Sequence, residues 1–290
     1  MICTNEKKLP CQSAVAKIKS MFVSENNYTF MDGDGYGHMM NAHGGINYTQ
    51  QLGDSCMDLC AALPVAGVSL ETVGENKEAK IYGCLGNEIV ITTGSASGKK
   101  GLFTGKIFGG DYFHAYFPKD VLEQMNGEEH FLVKCQGAGF QLTDYPEIEM
   151  MNISADCFHR LGVIENCDGT LSVPVTHILP HYIMGEGWGN MSFGGDEIDI
   201  STDDPGCFSR FNLGSLRFGD VVYVQDLDST HGTSFIAGSC SVGVIVHGDG
   251  AGMGFGPGFM AIMSSKKPLI KPIQKADANL AAYYHISKEG

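Results

Sequence analysis

LRFGDVVYVQ at residues 216–225, followed by SCSVGVIVH at residues 239–247, is the stretch from which the fold is read. Both runs are rich in β-branched residues, which pack well on a pleated, half-buried surface. The first is the strongest strand pattern in the chain, and the second is its expected partner. A glycine run from Gly248 to Gly258 then leads to a further apolar strand, FMAIM, at 259–263. Working backwards, LSVPVTH (171–177) predicts a strand that Pro174 confines to a sheet edge, because proline has no N–H to donate. SADCFHRLG (154–162) predicts one amphipathic helix, with Ser154 as its N-cap and Gly162 just past its end. The tail, 273–286, has room for one helix. Strands thus alternate with turns rather than with helices, which predicts a mainly β, layered sandwich or barrel with few short helices.

The N-terminal half extends this pattern. Alternation at 13–18 (SAVAKI) predicts a strand, and AKIYGCLGNEIVITT (79–93) predicts two strands around Gly86-Asn87. Residues 86–106, GNEIVITTGSASGKKGLFTGK, have glycines at 94, 98 and 101 that make a tight reversal. This segment resembles the hairpin of small SH3-like barrels. A short helix at 119–125 and a strand at 131–135 close that unit. The expected organisation is a β/loop region at 1–85 packing on the C-terminal part, a small SH3-like barrel at 86–145, and a β-rich domain at 146–290.

Composition narrows the function classes. The chain has 290 residues, of which 19 are Lys or Arg and 33 are Asp or Glu, giving a net charge of −14. Neutralising phosphates needs clustered basic residues, so a nucleic-acid partner is not expected. The only arginines are Arg160, Arg210 and Arg217. No run reaches the ~18 apolar residues of a membrane span, and the N-terminus lacks the apolar core of a secretory signal. Ten cysteines without such a signal read as reduced thiols, so a cytoplasmic location is expected.

Several segments, taken in order, resemble one mainly prokaryotic family, catalogued as a two-part domain of unknown function and known from structural genomics. They are Gly44-Gly45-Ile46-Asn47-Tyr48, the 86–106 hairpin, Asp144-Tyr145-Pro146, Met184 to Gly189, Asp199-Ile200 with Thr202, Leu216 to Asp220, Gly243 to His247, and Gly256-Pro257-Gly258. The resemblance implies a mainly β layered fold with a barrel-like part and oligomeric assembly, and it implies no activity. The family pattern has His where this chain has Phe255, Arg at Thr233 and Tyr at His231.

The densest polar cluster, Asp226-Leu227-Asp228-Ser229-Thr230-His231, directly follows the strongest strand. Asp226 and Asp228, two residues apart, point to one side if the strand continues. The partner strand ends in His247-Gly248-Asp249. Convergence of Asp226, Asp228, His247 and Asp249 would make a catalytic shell, with Asp226, His247 and Asp249 as ligands of a divalent metal ion. The alternative is that Asp226 and Asp228 are turn-forming residues. The alternating glycines serve either close packing or a ligand groove. His43, in a long polar loop, and Glu186-Gly187-Trp188 are candidate ligand-binding residues, together with Asp199, Thr202 and His231.

Two functions follow as expectations. One is a metal-assisted hydrolase or lyase acting on a small polar metabolite. The other is a non-catalytic, homo-oligomeric ligand-binding or scaffold protein.

Overall fold

The computed structural model describes residues 2–21, 29–31, 35–39, 44–59, 61, 63–75, 77–107, 112–185, 197–202, 204–250 and 256–286. The first half contributes β1 (Gln12–Ile18), β2 (Thr29–Met31), β3 (Gly37–Met39), β4 (Val68–Thr72), β5 (Glu88–Ile91), β6 (Lys100–Lys106), β7 (Tyr112–Tyr116) and β8 (His130–Cys135). Six of these close into a barrel in the order β1-β4-β7-β6-β5-β8, while β2 and β3 form a separate hairpin. Every barrel pairing is antiparallel.

Alternation decides what lines the barrel. In β1 the buried residues are Ala14, Ala16 and Ile18, and in β8 they are Phe131, Val133 and Cys135. Ala16 lies opposite Phe131, a small residue against a large one, which is how a narrow barrel is filled without voids. Phe103 of β6 and Phe113 of β7 stack with ring centres 4.9 Å apart. The 86–106 hairpin forms as expected, with Glu88 opposite Leu102.

Two expectations need correction here. The barrel does not begin at residue 86: it takes β1 and β4 from the region assigned to 1–85, because their apolar faces are needed to close it. Residues Glu78–Tyr82 form a helix rather than the first of two strands. Only Ala79 of that helix is buried, and it packs against β1, β4 and β8. The chain leaves this helix at Gly83, where a Cβ would clash with the Phe103 ring.

The second half contributes β9 (Glu149–Met150), β10 (Ile164–Glu165), β11 (Leu171–Val175), β12 (His177–Pro180), β13 (Glu197–Asp199), β14 (Val221–Asp228), β15 (Ser234–His247), β16 (Gly258–Ser265) and β17 (Ile270–Gln274). One sheet runs β12-β14-β15-β16-β13, with β9 also on β16, and a smaller one runs β10-β11-β17. The strongest strand and its expected partner pair antiparallel as β14 and β15, with Val221 opposite Val244. Val173 and Val175 of the small sheet share one buried cluster with Val222, Val224, Val242, Val244 and Phe259 of the large one. The two sheets are therefore layered.

Pro174 lies on the middle strand of its sheet, not on an outer one. It is tolerated there because β10 pairs with β11 only at Leu171 and Ser172, which leaves the rest of that side open. The helix expected from Ser154 spans Ala155–Arg160, and the Ser154 hydroxyl accepts the Cys157 N–H. Among the described residues, no helix is long and apolar enough to cross a membrane.

The barrel and the sheets meet along β6. A Cβ on Gly105 would press into Val246 of β15. Beside it the buried Lys106 donates to the Ile81 carbonyl and, at 2.9 Å, to Asn152 Oδ1. Asn152 in turn donates to the Ala261 carbonyl of β16. The chain at 53–64 is laced to the C-terminal half in the same way: Gly53 and Cys56 donate to Phe218 and Leu216, and Gly248 and Asp249 donate back to Pro64 and Cys56.

Candidate functional site

Three neighbouring strands set the site. His247 ends β15, and Gly258 opposite it begins β16. On the other side of β16, Gly258 also lies opposite Asp199 of β13, and Met260 opposite Glu197. Glu197 and Asp199 are two residues apart on one strand, so they share a face while Ile198 takes the other. Gly258 thus sits between the imidazole on one flank and the carboxylates on the other. A Cβ there would overlap His247 Cδ2 and Nε2 and lie 2.9 Å from Glu197 Cγ. Its missing side chain is what lets the flanking groups meet above the middle strand.

His247 Nε2 lies 3.4 Å from Glu197 Oε1 and 3.4 Å from Asp199 Oδ1, with the His247 side chain 1% exposed and the carboxylates 7% and 10%. Its other nitrogen, Nδ1, is 3.0 Å from the Gly248 carbonyl, which can only accept, so Nδ1 carries a proton. Burial opposes charge on this ring, but the Asp199 and Glu197 carboxylates outweigh it and hold the imidazolium pKa up at about 10. The ring therefore stays cationic through the neutral range. Neither His247 Nε2 nor Asp199 Oδ1 has a well-formed hydrogen bond, so the trio is held by ionic contact. Glu197 and Asp199 thus face the same ring nitrogen, two carboxylates on one imidazolium. The barrel reaches this site through Tyr112, whose phenol pKa is raised by burial and by the charge of Glu197.

The sequence-expected residues divide between this site and places remote from it. Asp199 and His247 come together. Asp226 and Asp228 do not join them. Asp228 pairs with Ser234 at the opposite end of the 14-residue β15, roughly 40 Å away at about 3.3 Å per residue. Asp226 occupies a bulge with φ of +57° and accepts the Gly238 N–H at 2.7 Å. Asp228 accepts from the Thr230 N–H and hydroxyl. Both are bend-stabilising residues. His231 is exposed in the same hairpin turn.

Asp249 faces Asp58 rather than His247. Burial raises its pKa, the Asp58 charge adds to this, and the Asp58 N–H works against it. The expected metal set of Asp226, His247 and Asp249 is therefore not assembled. Among the described residues, no group of three or more His, Cys, Asp or Glu side chains is placed to hold an ion. Thr202 accepts the Asp204 N–H just beyond β13. His43, Glu186, Trp188 and Phe255 lie outside the described residues. Of the alternating glycines, Gly248, Gly256 and Gly258 each have a neighbouring segment against the space a Cβ would take, so close packing accounts for them.

Residues 29–159 match the N-terminal part of a domain of unknown function, DUF4438, and residues 160–284 match its C-terminal part. The chain belongs to the DUF4438 family. A solved structure described as "Crystal structure of TM1086" is similar to this DUF4438 chain over 97% of its length and 99% of that chain, with 30% identity and a TM-score of 0.88. No curated protein matches. On the DUF4438 division, Glu197, Asp199 and His247 belong to the C-terminal part and Tyr112 to the N-terminal part.

Glu197 is the residue that sequence reasoning missed. Its signal was present in Glu197-Ile198-Asp199-Ile200, where carboxylates alternate with isoleucines in a strand pattern.

Proposed function

We propose that this protein is a hydrolase or related lyase acting on a small polar metabolite, with Glu197, Asp199 and His247 as its polar centre. The observation that carries this reading is the buried carboxylate pair facing a single imidazolium, with Asp199 Oδ1 left without a hydrogen bond. Burying charges costs several kcal/mol per ion, and such clusters concentrate where chemistry needs them. Asp199 and Glu197 are the groups suited to accept or return a proton and to hold a substrate's N–H or O–H donors. His247 is a positioning residue: both its nitrogens are turned to protein groups, and it supplies the fixed positive charge that keeps the carboxylates aligned. A cationic or donor-rich substrate group is the chemical complement of these two carboxylates.

A second reading, a non-catalytic homo-oligomeric ligand-binding or scaffold protein, is favoured by that same burial of His247, which leaves no ring nitrogen to reach a substrate. One experiment separates the two. Wild type and Asp199→Asn are incubated with a library of small amides, lactams and hydroxy acids, and the mixtures are followed by mass spectrometry. The catalytic reading expects wild-type turnover of at least one compound, lost in Asp199→Asn at an unchanged melting temperature. No turnover of any compound by the wild type supports the second reading, which light scattering then tests by showing a stable oligomer.

A further inference from the structure

A cavity of about 490 Å³, lined by none of the trio, lies where the end of β17 meets the start of β12 and the chain at 210–217. That volume is typical of small-molecule sites. Its lining is unusual for so acidic a chain. Two of the three arginines, Arg210 and Arg217, face it, together with the neutral polar residues Asn212, Ser215 and Gln274, and among the described residues no carboxylate lines it. Asp220, the partner of Arg217, is fully buried.

The two arginines are held differently. Arg217 donates through Nε and Nη2 to Asp220 Oδ1 at 3.1 and 2.8 Å, and through Nη2 to the Ala276 carbonyl at 2.7 Å. This fixes the plane of its guanidinium and leaves Nη1 with no hydrogen bond among the described residues. Arg210 stacks over the Phe211 ring at 5.3 Å and makes no ion pair among the described residues. Asp220 balances the charge of Arg217, and Arg210 is the cation that no described carboxylate pairs. His177, at the cavity floor, is engaged by Thr176, Asn212 and Ser215 and helps fix those walls. A rigid fork beside a freer cation, with neutral polar groups around them, is an arrangement that recognises a planar or tetrahedral oxyanion.

We infer that this cavity binds a small metabolite through a carboxylate or phosphoryl group, with Arg217 as the fixed donor and Arg210 as the clamp. The site is independent of the trio and does not rest on the catalytic reading.

The test uses the full chain in isothermal titration calorimetry with two probes, inorganic phosphate and succinate. Saturable binding of at least one is expected, weakened by added salt, and about tenfold or more weaker in Arg210→Gln at an unchanged melting temperature. Lys99→Gln, at an exposed lysine of the barrel hairpin, is expected to bind as the wild type does. Binding of phosphate alone identifies a phosphoryl group, and binding of succinate alone a carboxylate. The inference is overturned if neither probe binds saturably, if Arg210→Gln binds as wild type, or if Lys99→Gln weakens binding equally.

Discussion

Raising the pH should loosen the fold through one residue. His247 in the unfolded chain loses its proton near 6.5, whereas between Glu197 and Asp199 it keeps that proton to about 10. Because the folded-state pKa is the higher one, the stabilisation is whole below about pH 6.5 and disappears as the pH climbs through about 10. Each pH unit is worth about 1.36 kcal/mol, so the interval amounts to roughly 5 kcal/mol. It is the pH-dependent part alone; the desolvation of the two carboxylates is a constant cost over this range and does not enter it. About 2 kcal/mol of it should already be gone at pH 8. The assay is urea unfolding followed by circular dichroism at pH 6, 8 and 10, on wild type and on His247→Gln. Packing lost in the variant is a constant offset, so the informative quantity is how the gap changes. The gap should be widest at pH 6 and narrow steadily to pH 10. A gap that stays constant or widens over this range would refute the ion-trio reasoning.

Three further outcomes follow. Gly258→Ala, which places a methyl where the His247 ring lies, should cost about 1–3 kcal/mol and lower the calorimetric melting temperature. Asp220→Ala strands Arg217 and Asn279, which both bond that buried carboxylate, and should cost about 3–5 kcal/mol in urea unfolding. Asp226→Asn keeps an acceptor for the Gly238 N–H. It should change stability by no more than about 0.5 kcal/mol and leave the His247 titration unmoved, as NMR would show.

Much of the fold was legible because its signals are local. The β14–β15 pair, the 86–106 hairpin and the Ser154-capped helix each carry their own pattern of β-branched residues, turn glycines or cap. What escaped was closure and adjacency. Nothing in SAVAKI says that β1 completes a barrel with β8 more than a hundred residues later. Residues 78–82 are good helix formers whose apolar members suggested a strand. The site was half legible for the same reason. His247 stood out as a polar residue at a strand end and Asp199 through the family resemblance, but only the sheet order, with β16 between them, brings them together. Asp226 and Asp228 were attractive because they follow the best strand, yet that strand runs antiparallel to β15 and carries them to its far end. Gly258 reads in the sequence as a packing glycine, and that packing is what makes the trio possible.

The most direct measurement is NMR of the His247 side chain in ¹⁵N-histidine-labelled protein at pH 8, assigned by comparison with His247→Gln. Nitrogen shifts of a ring protonated at both Nδ1 and Nε2, at a pH where an ordinary histidine is neutral, are what the account requires. Shifts of a neutral ring with one bare nitrogen would contradict it.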